Sequence, residues 1–235
     1  MKTKGFFITG TGTGVGKSVV MAALLRRLAR RGRVLGVKPV QTGCEEIRGE
    51  WFAPDPELWK MALADVMPMP DLFCPCRLAA PCSPHLAARL AGIDIDLESL
   101  AEEIGRRSEG GDFVLVEGAG GLLVPIRGDK TMLDLAGRLG LPLLLVADNR
   151  LGVINHTLLS LAAIRGAGLP LSGVILNNTT PAADNMERLI RNDNRETIRS
   201  LGQVAIVAEM PYIPNFSPDN RKHWEVLDAS LRQVV

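Results

Sequence analysis

Residues 6–18 read FFITGTGTGVGKS, and this stretch decides the fold. Its apolar start predicts a short strand, and Lys17 opens a segment with apolar residues at helical spacing. A glycine loop that ends in Gly-Lys-Ser between a strand and a helix is typical of a phosphate-binding loop. The glycines let backbone N–H groups approach phosphate oxygens, and the helix N-terminus adds partial positive charge. We therefore predict a P-loop in which Lys17 reaches the β- and γ-phosphates and Ser18 ligates Mg²⁺.

The loop departs from the strict P-loop spacing by one residue. That pattern places its first glycine where this sequence has Thr11, whereas here Gly10 lies one position earlier relative to Gly16. A flexible Gly/Thr loop is the alternative interpretation. It does not explain why Gly-Lys-Ser follows a strand and opens an amphipathic helix, so we favour the phosphate loop.

Length and composition limit the classes of protein that fit. The 235 residues suit one α/β domain, which we predict to span residues 1–235. Hydrophobic residues make up 46%, enough to cover both faces of a buried parallel sheet. The formal net charge is +1, so a broad basic surface for nucleic acid is not expected. The sequence contains no apolar run of about 20 residues and no signal-peptide pattern. We therefore expect a cytoplasmic protein without membrane or nucleic-acid partners.

Short apolar runs alternate with helical patterns along the chain, which is typical of βα units. We predict a doubly wound, mainly parallel sheet with helices on both faces, as in P-loop NTPases. Residues 41–84 are irregular and rich in proline, with one predicted helix at about Pro56–Ala64. The other predicted strands are Phe6–Ile8, Val34–Val37, Phe113–Val116, Leu143–Ala147, Gly173–Leu176 and Val204–Val207. The other predicted helices are about Lys17–Arg30, Leu97–Arg107, Met132–Leu139, Val153–Arg165, Asp184–Leu201 and Arg221–Leu231.

Charged residues follow two of the predicted strands. Glu117 comes after Phe113–Val116, and an unpaired carboxylate at the end of a buried strand is unfavourable unless a cation lies near it. Mg²⁺ shared with Ser18 would satisfy Glu117, and a surface glutamate is the alternative. Lys38 follows Val34–Val37 and needs an anionic partner or solvent. Because ligands of parallel sheets bind beyond the carboxyl ends of the strands, we expect both residues near the P-loop.

Two further clusters are interpreted as structural. The arginines near the end of the first helix suit the helix dipole and indicate a solvated helix end; they are Arg26, Arg27, Arg30 and Arg31. The cysteines lack the paired spacing of a zinc site, which favours reduced thiols without a metal; they are Cys44, Cys74, Cys76 and Cys82.

Six local strings occur in the order and spacing of one enzyme family. They are TGTGTGVGKS (9–18), KPVQTG (38–43), SPH (83–85), VEGAGG (116–121), LGVINH (151–156) and MPY (210–212). On these strings the chain resembles the dethiobiotin synthetases over about residues 5–213. The longer separation of Gly10 and Gly16 is that family's own variant of the P-loop.

This resemblance implies a homodimer that uses ATP, Mg²⁺ and CO₂ to close the ureido ring of 7,8-diaminononanoate, giving dethiobiotin. One amine takes up CO₂ as a carbamate, whose oxygen attacks the γ-phosphate. The second amine then displaces phosphate from the mixed anhydride. Such phosphoryl transfer needs positioning and charge neutralisation more than covalent protein chemistry.

The resemblance also implies roles for individual residues. Thr13, Lys17 and Lys38 would act catalytically on the phosphate and carbamate groups, and Ser18, Asp55 and Glu117 would surround Mg²⁺. The implied ATP-binding residues are Gly14, Val15, Gly16, Lys17, Ser18, Asp55, Glu117, Gly118, Ala119, Gly120, Asn177, Asn178, Pro211, Tyr212 and Ile213. Among them Asn177 would read the adenine, and the last three would close over it. The implied substrate-binding residues are Thr42, Ser83, Gly152, Val153, Ile154 and Asn155. The last four begin a helix that the partner subunit supplies, with its N–H groups on the substrate carboxylate.

Some positions depart from the family, and two other classes stay open. Gly12 and Gly14 stand where family members often carry acidic residues, and Asn178 replaces an expected aspartate. His156 is either a substrate contact or an ordinary helix residue.

A small-molecule kinase would share the P-loop but would not need KPVQTG. A partitioning-type ATPase switch carries an extra lysine where this chain has Gly12.

Overall fold

Strands and helices alternate along residues 4–234, the part of the chain that the computed structural model describes. The strands are β1 (Lys4–Gly10), β2 (Val34–Val37), β3 (Val40–Thr42), β4 (Glu45–Ile47), β5 (Glu50–Phe52), β6 (Asp71–Phe73), β7 (Cys76–Leu78), β8 (Phe113–Gly121), β9 (Pro125–Arg127), β10 (Lys130–Thr131), β11 (Leu143–Asp148), β12 (Leu171–Asn177) and β13 (Ile206–Met210). The helices are α1 (Lys17–Ala29), α2 (Pro54–Leu63), α3 (Pro84–Ala91), α4 (Leu97–Ser108), α5 (Met132–Leu139), α6 (Val153–Gly166), α7 (Asn185–Gly202) and α8 (Arg221–Ser230). In this part of the chain no helix is both long and apolar enough to span a membrane.

Seven of the strands form one sheet in the order β13-β12-β11-β1-β8-β2-β6. Every neighbouring pair in this sheet is parallel. Strand β1 lies in the middle, with the early strands on one side and the late strands on the other. This is the doubly wound topology, in which ligands bind where the strand order reverses. The predicted fold class is confirmed.

Successive residues of the central strands enter two hydrophobic cores on opposite faces of the sheet. Phe7 belongs to the core that includes residues of α4, α5 and α6. Ile8 belongs to the core that includes residues of α1, α2 and α8. Fully burying such a side chain contributes about 1.5–3 kcal/mol to the stability of the fold. Packing on both faces therefore fixes the position of β1 and of the glycine loop that begins at its end.

The segment 41–84 has more structure than the sequence predicts. Strand β3 pairs with β7, β4 pairs with β5, and β6 extends the main sheet beside β2. Helix α2 lies close to its predicted position, whereas the sequence does not predict α3. Ser83 is the N-cap of α3 and Pro84 is its first residue, a position that favours proline.

Strand β8 continues past its predicted end at Val116 as far as Gly121. Glu117 therefore lies inside the strand, opposite Ile8, and the prediction that it follows the strand is wrong. The extension arises because β1 continues to Gly10, which pairs with Gly121 after a shift in register. Strand β13 is also displaced from its prediction, since its pairing with β12 begins only at Ile206.

Arg26 is buried, so its interpretation as part of a solvated helix end is wrong. Its guanidinium donates hydrogen bonds to Ala62 O and to the carboxylate of Asp65. A buried guanidinium requires such partners, because unpaired burial of a charge is strongly unfavourable. The contact joins α1 to the end of α2, a relationship that no local pattern encodes.

Candidate active site

The glycine loop between β1 and α1 adopts backbone angles that other residues rarely adopt. The φ angle is 78° at Gly14 and 86° at Gly16. A Cβ atom at Gly16 would also lie 2.0 Å from Asn177 Nδ2, so both angle and space require glycine there. Gly16 is the N-cap of α1, and no described side chain caps that helix. The first N–H groups of α1 are therefore available to an anion.

The Lys17 side chain folds back over this loop. Its Nζ donates a hydrogen bond to Gly12 O at 2.8 Å, and the residue is only 6% exposed. Burial lowers the pKa of Lys17 to about 8, although the nearby Glu117 carboxylate opposes that effect. At neutral pH the charged form still predominates, so a positive charge lies over the loop.

A second lysine joins two carboxylates beside the loop. Lys38 Nζ lies 2.6 Å from Asp55 Oδ2 and 2.7 Å from Glu117 Oε1, and it donates to Gly118 O at 3.3 Å. Ser18 Oγ donates to the same Glu117 oxygen at 2.9 Å. Residues from α1, β8, α2 and the end of β2 thus meet at one point.

Burial and charge act against each other in this cluster. Burial alone would lower the pKa of Lys38, but the carboxylates of Glu117 and Asp55 outweigh it and raise that pKa. Burial would raise the pKa of Asp55, yet the Lys38 ammonium outweighs it and lowers that pKa. For Glu117, burial outweighs the opposing effect of Lys38, so its pKa is raised. Even with the Lys38 and Lys17 ammoniums nearby, burial disfavours the charged form of Glu117, so further positive charge would be favourable here.

The residues predicted for Mg²⁺ fit a divalent cation. They supply two carboxylates and a hydroxyl, the hard oxygen ligands that Mg²⁺ prefers. Glu117 Oε2 is buried and has no hydrogen-bond partner among the described residues. A cation would satisfy this oxygen, whereas leaving a buried charged group unpaired is unfavourable.

A cavity of about 700 Å³ opens beside these charges. The glycine loop, the start of α1, the end of β8 and the segment 41–84 form its walls. The predicted site residues that line it are Thr13, Gly14, Gly16, Lys17, Ser18, Lys38, Thr42, Asp55, Ser83, Glu117, Ala119 and Gly120. The structure therefore brings predicted phosphate, metal and substrate residues around one space.

The same cavity includes residues that sequence reasoning missed. Gln41 lines it and is 8% exposed, with Nε2 donating to Thr42 O at 3.0 Å. Val40 and Val124 give the cavity apolar wall. The position of Gln41 inside KPVQTG is a signal that could have identified it, but nothing local to Val124 marks it as a cavity residue.

Other predicted ATP-binding residues do not line this cavity, although Asn177 contacts the glycine loop. Asn177 Nδ2 donates to Val15 O at 2.9 Å, and Val15 is itself buried. Asn178 Nδ2 donates to Met210 O at 2.9 Å, immediately before the segment 211–213. The residues concerned are Val15, Gly118, Asn177, Asn178, Pro211, Tyr212 and Ile213.

The predicted carboxylate-binding residues form the start of α6 and do not line the main cavity of the same chain. They are Gly152, Val153, Ile154 and Asn155. Gly152 is the N-cap with φ 95°, and Asn155 is exposed. A second cavity of about 430 Å³ is lined by His156 on this helix and by Thr13, which also lines the first cavity.

The four cysteines are all free. Cys44 and Cys74 are buried, and Cys82 lines the main cavity. Burial raises the pKa of Cys74 to about 12 and that of Cys76 to about 11. Within residues 4–234, no group of three or more His, Cys, Asp and Glu side chains is placed to hold a metal ion.

Known proteins resemble this chain over almost its whole length. A family model described as an AAA domain matches residues 4–220. The ATP-dependent dethiobiotin synthetase BioD of Anoxybacillus flavithermus is 38% identical over 226 residues, covering 94% of this chain and 99% of the relative. BioD of Nitrosospira multiformis is 40% identical over 213 residues, covering 90% of each.

Solved structures resemble the fold at much lower identity. The septum site-determining protein MinD from Pyrococcus horikoshii, complexed with Mg-ADP, has a TM-score of 0.62 at 16% identity and covers 99% of this chain and 97% of its own. A ParA family ATPase from Chlorobium tepidum has a TM-score of 0.62 at 16% identity, covering 98% and 99%. At this level the similarity concerns the fold alone.

Proposed function

The chain belongs to the dethiobiotin synthetase family, and on that premise we propose that it is an ATP-dependent ligase that closes the ureido ring of dethiobiotin. Its substrates are 7,8-diaminononanoate, CO₂ and ATP, and its cofactor is Mg²⁺. We also propose the cytoplasm as its compartment. The proposal rests on one observation. Two lysines, a serine and a glutamate lie together and line the 700 Å³ cavity: Lys17, Lys38, Ser18 and Glu117.

The proposed reaction has three steps. An amine nitrogen of the substrate forms a bond to CO₂ and loses a proton, giving a carbamate. A carbamate oxygen then bonds to the γ-phosphorus of ATP while the bond to the β-phosphate oxygen breaks and ADP leaves. Finally the second amine bonds to the carbamoyl carbon, phosphate leaves, and the amine proton is released.

The residues of this chain neutralise and orient the reacting groups. Phosphate oxygens bind the glycine loop, where the N–H groups at the start of α1 and the Lys17 ammonium meet them. Lys38 faces the oxygens of the transferring group, where negative charge accumulates, and Thr42 contacts the substrate nitrogens. Mg²⁺, held by Ser18, Asp55 and Glu117, supplies charge neutralisation at the phosphates.

The proposal includes a homodimer whose active sites lie at the interface. The start of α6, including Asn155, would bind the substrate carboxylate in the site of the other subunit. Three exposed leucines lie near this region: Leu123 at 65%, Leu151 at 86% and Leu159 at 62% exposure. Leu123 and Leu159 line the second cavity, next to the first. Covering such exposed apolar side chains would favour association.

One assay tests the function directly. The protein is incubated with diaminononanoate, bicarbonate, Mg²⁺ and ATP, and the products are analysed by mass spectrometry. We expect dethiobiotin and ADP in equal amounts. ADP formation without ring closure would favour a kinase or an ATPase switch and would contradict the proposal.

The partitioning-type switch is disfavoured by the loop itself. At position 12, where those ATPases carry an extra lysine, this chain has glycine, whose carbonyl accepts the hydrogen bond from Lys17.

A further inference from the structure

Arg191 on α7 is buried and holds a loop that follows the sheet. The residue is 8% exposed. Its Nη1 donates to Asn178 Oδ1 at 3.2 Å and to Thr180 O at 3.0 Å. Its Nη2 donates to Thr180 Oγ1 and Pro181 O, each at 3.3 Å, and to Glu187 Oε1 at 2.5 Å. One guanidinium thus fixes the loop 178–181 at several points.

Asn178 connects the loop 178–181 to a second loop, 211–213. Its side-chain oxygen accepts from Arg191, while its Nδ2 and its backbone N–H both donate to Met210 O. Met210 ends β13, and the segment 211–213 begins directly after it. The positions of the two loops are therefore coupled through Arg191 and Asn178.

The first of these loops adjoins the phosphate loop. Asn177, next to Asn178, donates from Nδ2 to Val15 O at 2.9 Å. Thr179 Oγ1 donates to Asp148 Oδ1 at 2.7 Å, at the end of the neighbouring strand β11. Both loops thus follow the carboxyl ends of neighbouring strands, β12 and β13, and the first lies beside Gly16. A nucleotide held by its phosphates at the glycine loop would extend its base along this edge of the sheet.

We propose that Arg191 is a positioning residue for the base of the nucleotide. Arg191 does not contact the nucleotide. It acts through the loops 178–181 and 211–213, which it holds in the arrangement that receives the base. Asn178 connects these loops and does not itself read the base, because both ends of its amide are already engaged. This inference rests on the proposed use of ATP.

Binding of two ligands separates base positioning from phosphate binding. We would measure, by calorimetry with Mg²⁺ present, the Kd for ADP and for inorganic tripolyphosphate, which has no base. In Arg191→Met the Kd for ADP should rise by about tenfold or more, as expected when charged hydrogen bonds that order a site are lost. The Kd for tripolyphosphate should stay within about twofold, because the glycine loop and Lys17 are unchanged.

Three further variants keep the test decisive. Arg188→Met removes an exposed arginine one turn earlier on α7 and should leave both Kd values unchanged. Arg191→Lys keeps the charge but not the planar fork, so it should resemble Arg191→Met. Should Arg191→Met not fold, Asn178→Ala removes the side-chain bonds to Arg191, Met210 O and Glu209 while keeping the backbone bond to Met210 O, and it should also raise the Kd for ADP selectively.

The Kd values separate the positioning role of Arg191 from nucleotide binding itself. An unchanged Kd for ADP in Arg191→Met and Asn178→Ala would overturn the positioning role. An equal rise for both ligands would also overturn it, since it would indicate general damage. If the unaltered protein bound neither ADP nor tripolyphosphate, the proposed function itself would fail.

Discussion

Lys38 Nζ lies 2.7 Å from Glu117 Oε1, inside a site in which both residues are almost fully buried. A divalent cation bound through the unpaired Oε2 of Glu117 would compete with this ammonium for the negative charge of the same carboxylate. A cation on Glu117 and Asp55 would therefore weaken the hold on Lys38 and leave its charge available to the phosphoryl group. If the protein has the proposed function, this ion pair would link metal binding to the position of Lys38.

Removing the Lys38 side chain should reduce turnover strongly. We expect Lys38→Ala to lower kcat for ring closure by at least about a hundredfold, the effect of losing one charged contact to a transition state. Lys17→Ala should have an effect of similar size for the same reason. Turnover is measured as dethiobiotin formed, and Lys60→Ala, which alters an exposed lysine on α2, is the control. A near-normal rate in Lys38→Ala would show that this lysine does not meet the reacting group.

Removing the charge of Glu117 should weaken metal binding. Glu117→Gln keeps the shape but replaces the buried oxygen that has no partner with an amide, a poor ligand for Mg²⁺. We expect the Kd for Mn²⁺, followed by electron paramagnetic resonance in the presence of ADP, to rise by about tenfold or more. Glu102→Gln on the exposed face of α4 serves as the control. Equal Mn²⁺ affinity in both variants would exclude Glu117 as a ligand.

A side chain at Gly16 should destabilise the loop. Gly16→Ala would place a Cβ 2.0 Å from Asn177 Nδ2 at a φ of 86°. The left-handed angle alone costs about 1–2 kcal/mol, and the clash adds to it, so we expect unfolding free energy to fall by at least about 2 kcal/mol. Urea denaturation measures this. Gly12→Ala meets nothing within 4 Å and should leave the unfolding free energy nearly unchanged; equal losses in both variants would contradict the steric argument.

The sequence identifies the parts of the site that local patterns encode. Lys17 and Ser18 follow from the glycine loop, and the position of Lys38 follows from a parallel strand that ends at the ligand-binding edge of the sheet. Glu117 is expected at the same edge, but the sequence does not show that it lies inside β8. The partners of Arg26 could not be predicted, because they lie 36 and 39 residues further along the chain and depend on how α2 packs against α1. The partners of Arg191 are near in sequence, but most of them lie in an irregular loop whose path no periodic pattern predicts. Helix α3 escapes prediction for a different reason, since it continues from a proline-rich segment that indicates a loop.

The thiols of Cys74 and Cys76 should resist alkylation at moderate pH. The pKa values of about 12 for Cys74 and about 11 for Cys76 mean that their reactive thiolates form only as the pH rises towards those values. At pH 8 iodoacetamide should therefore modify Cys82, which lines the cavity, before either of them. Peptide mass spectrometry over time measures the order, and raising the pH to 10 should accelerate labelling of Cys74 and Cys76. Labelling of Cys74 as fast as Cys82 at pH 8 would mean that Cys74 is not buried in solution.

Shared active sites should allow two inactive variants to restore activity to each other. Lys38→Ala damages the phosphate side of a site, and Gly152→Val damages the start of α6, where glycine has a φ of 95°. In a hybrid dimer one site would combine both defects and the other would combine neither. Since random exchange makes half of the dimers hybrid, mixing the variants should restore about a quarter of the normal activity. Subunits are exchanged by mild denaturation and refolding, and each variant treated alone is the control. If the mixture stays as inactive as its components while native gels show that hybrids form, each active site is built from a single chain.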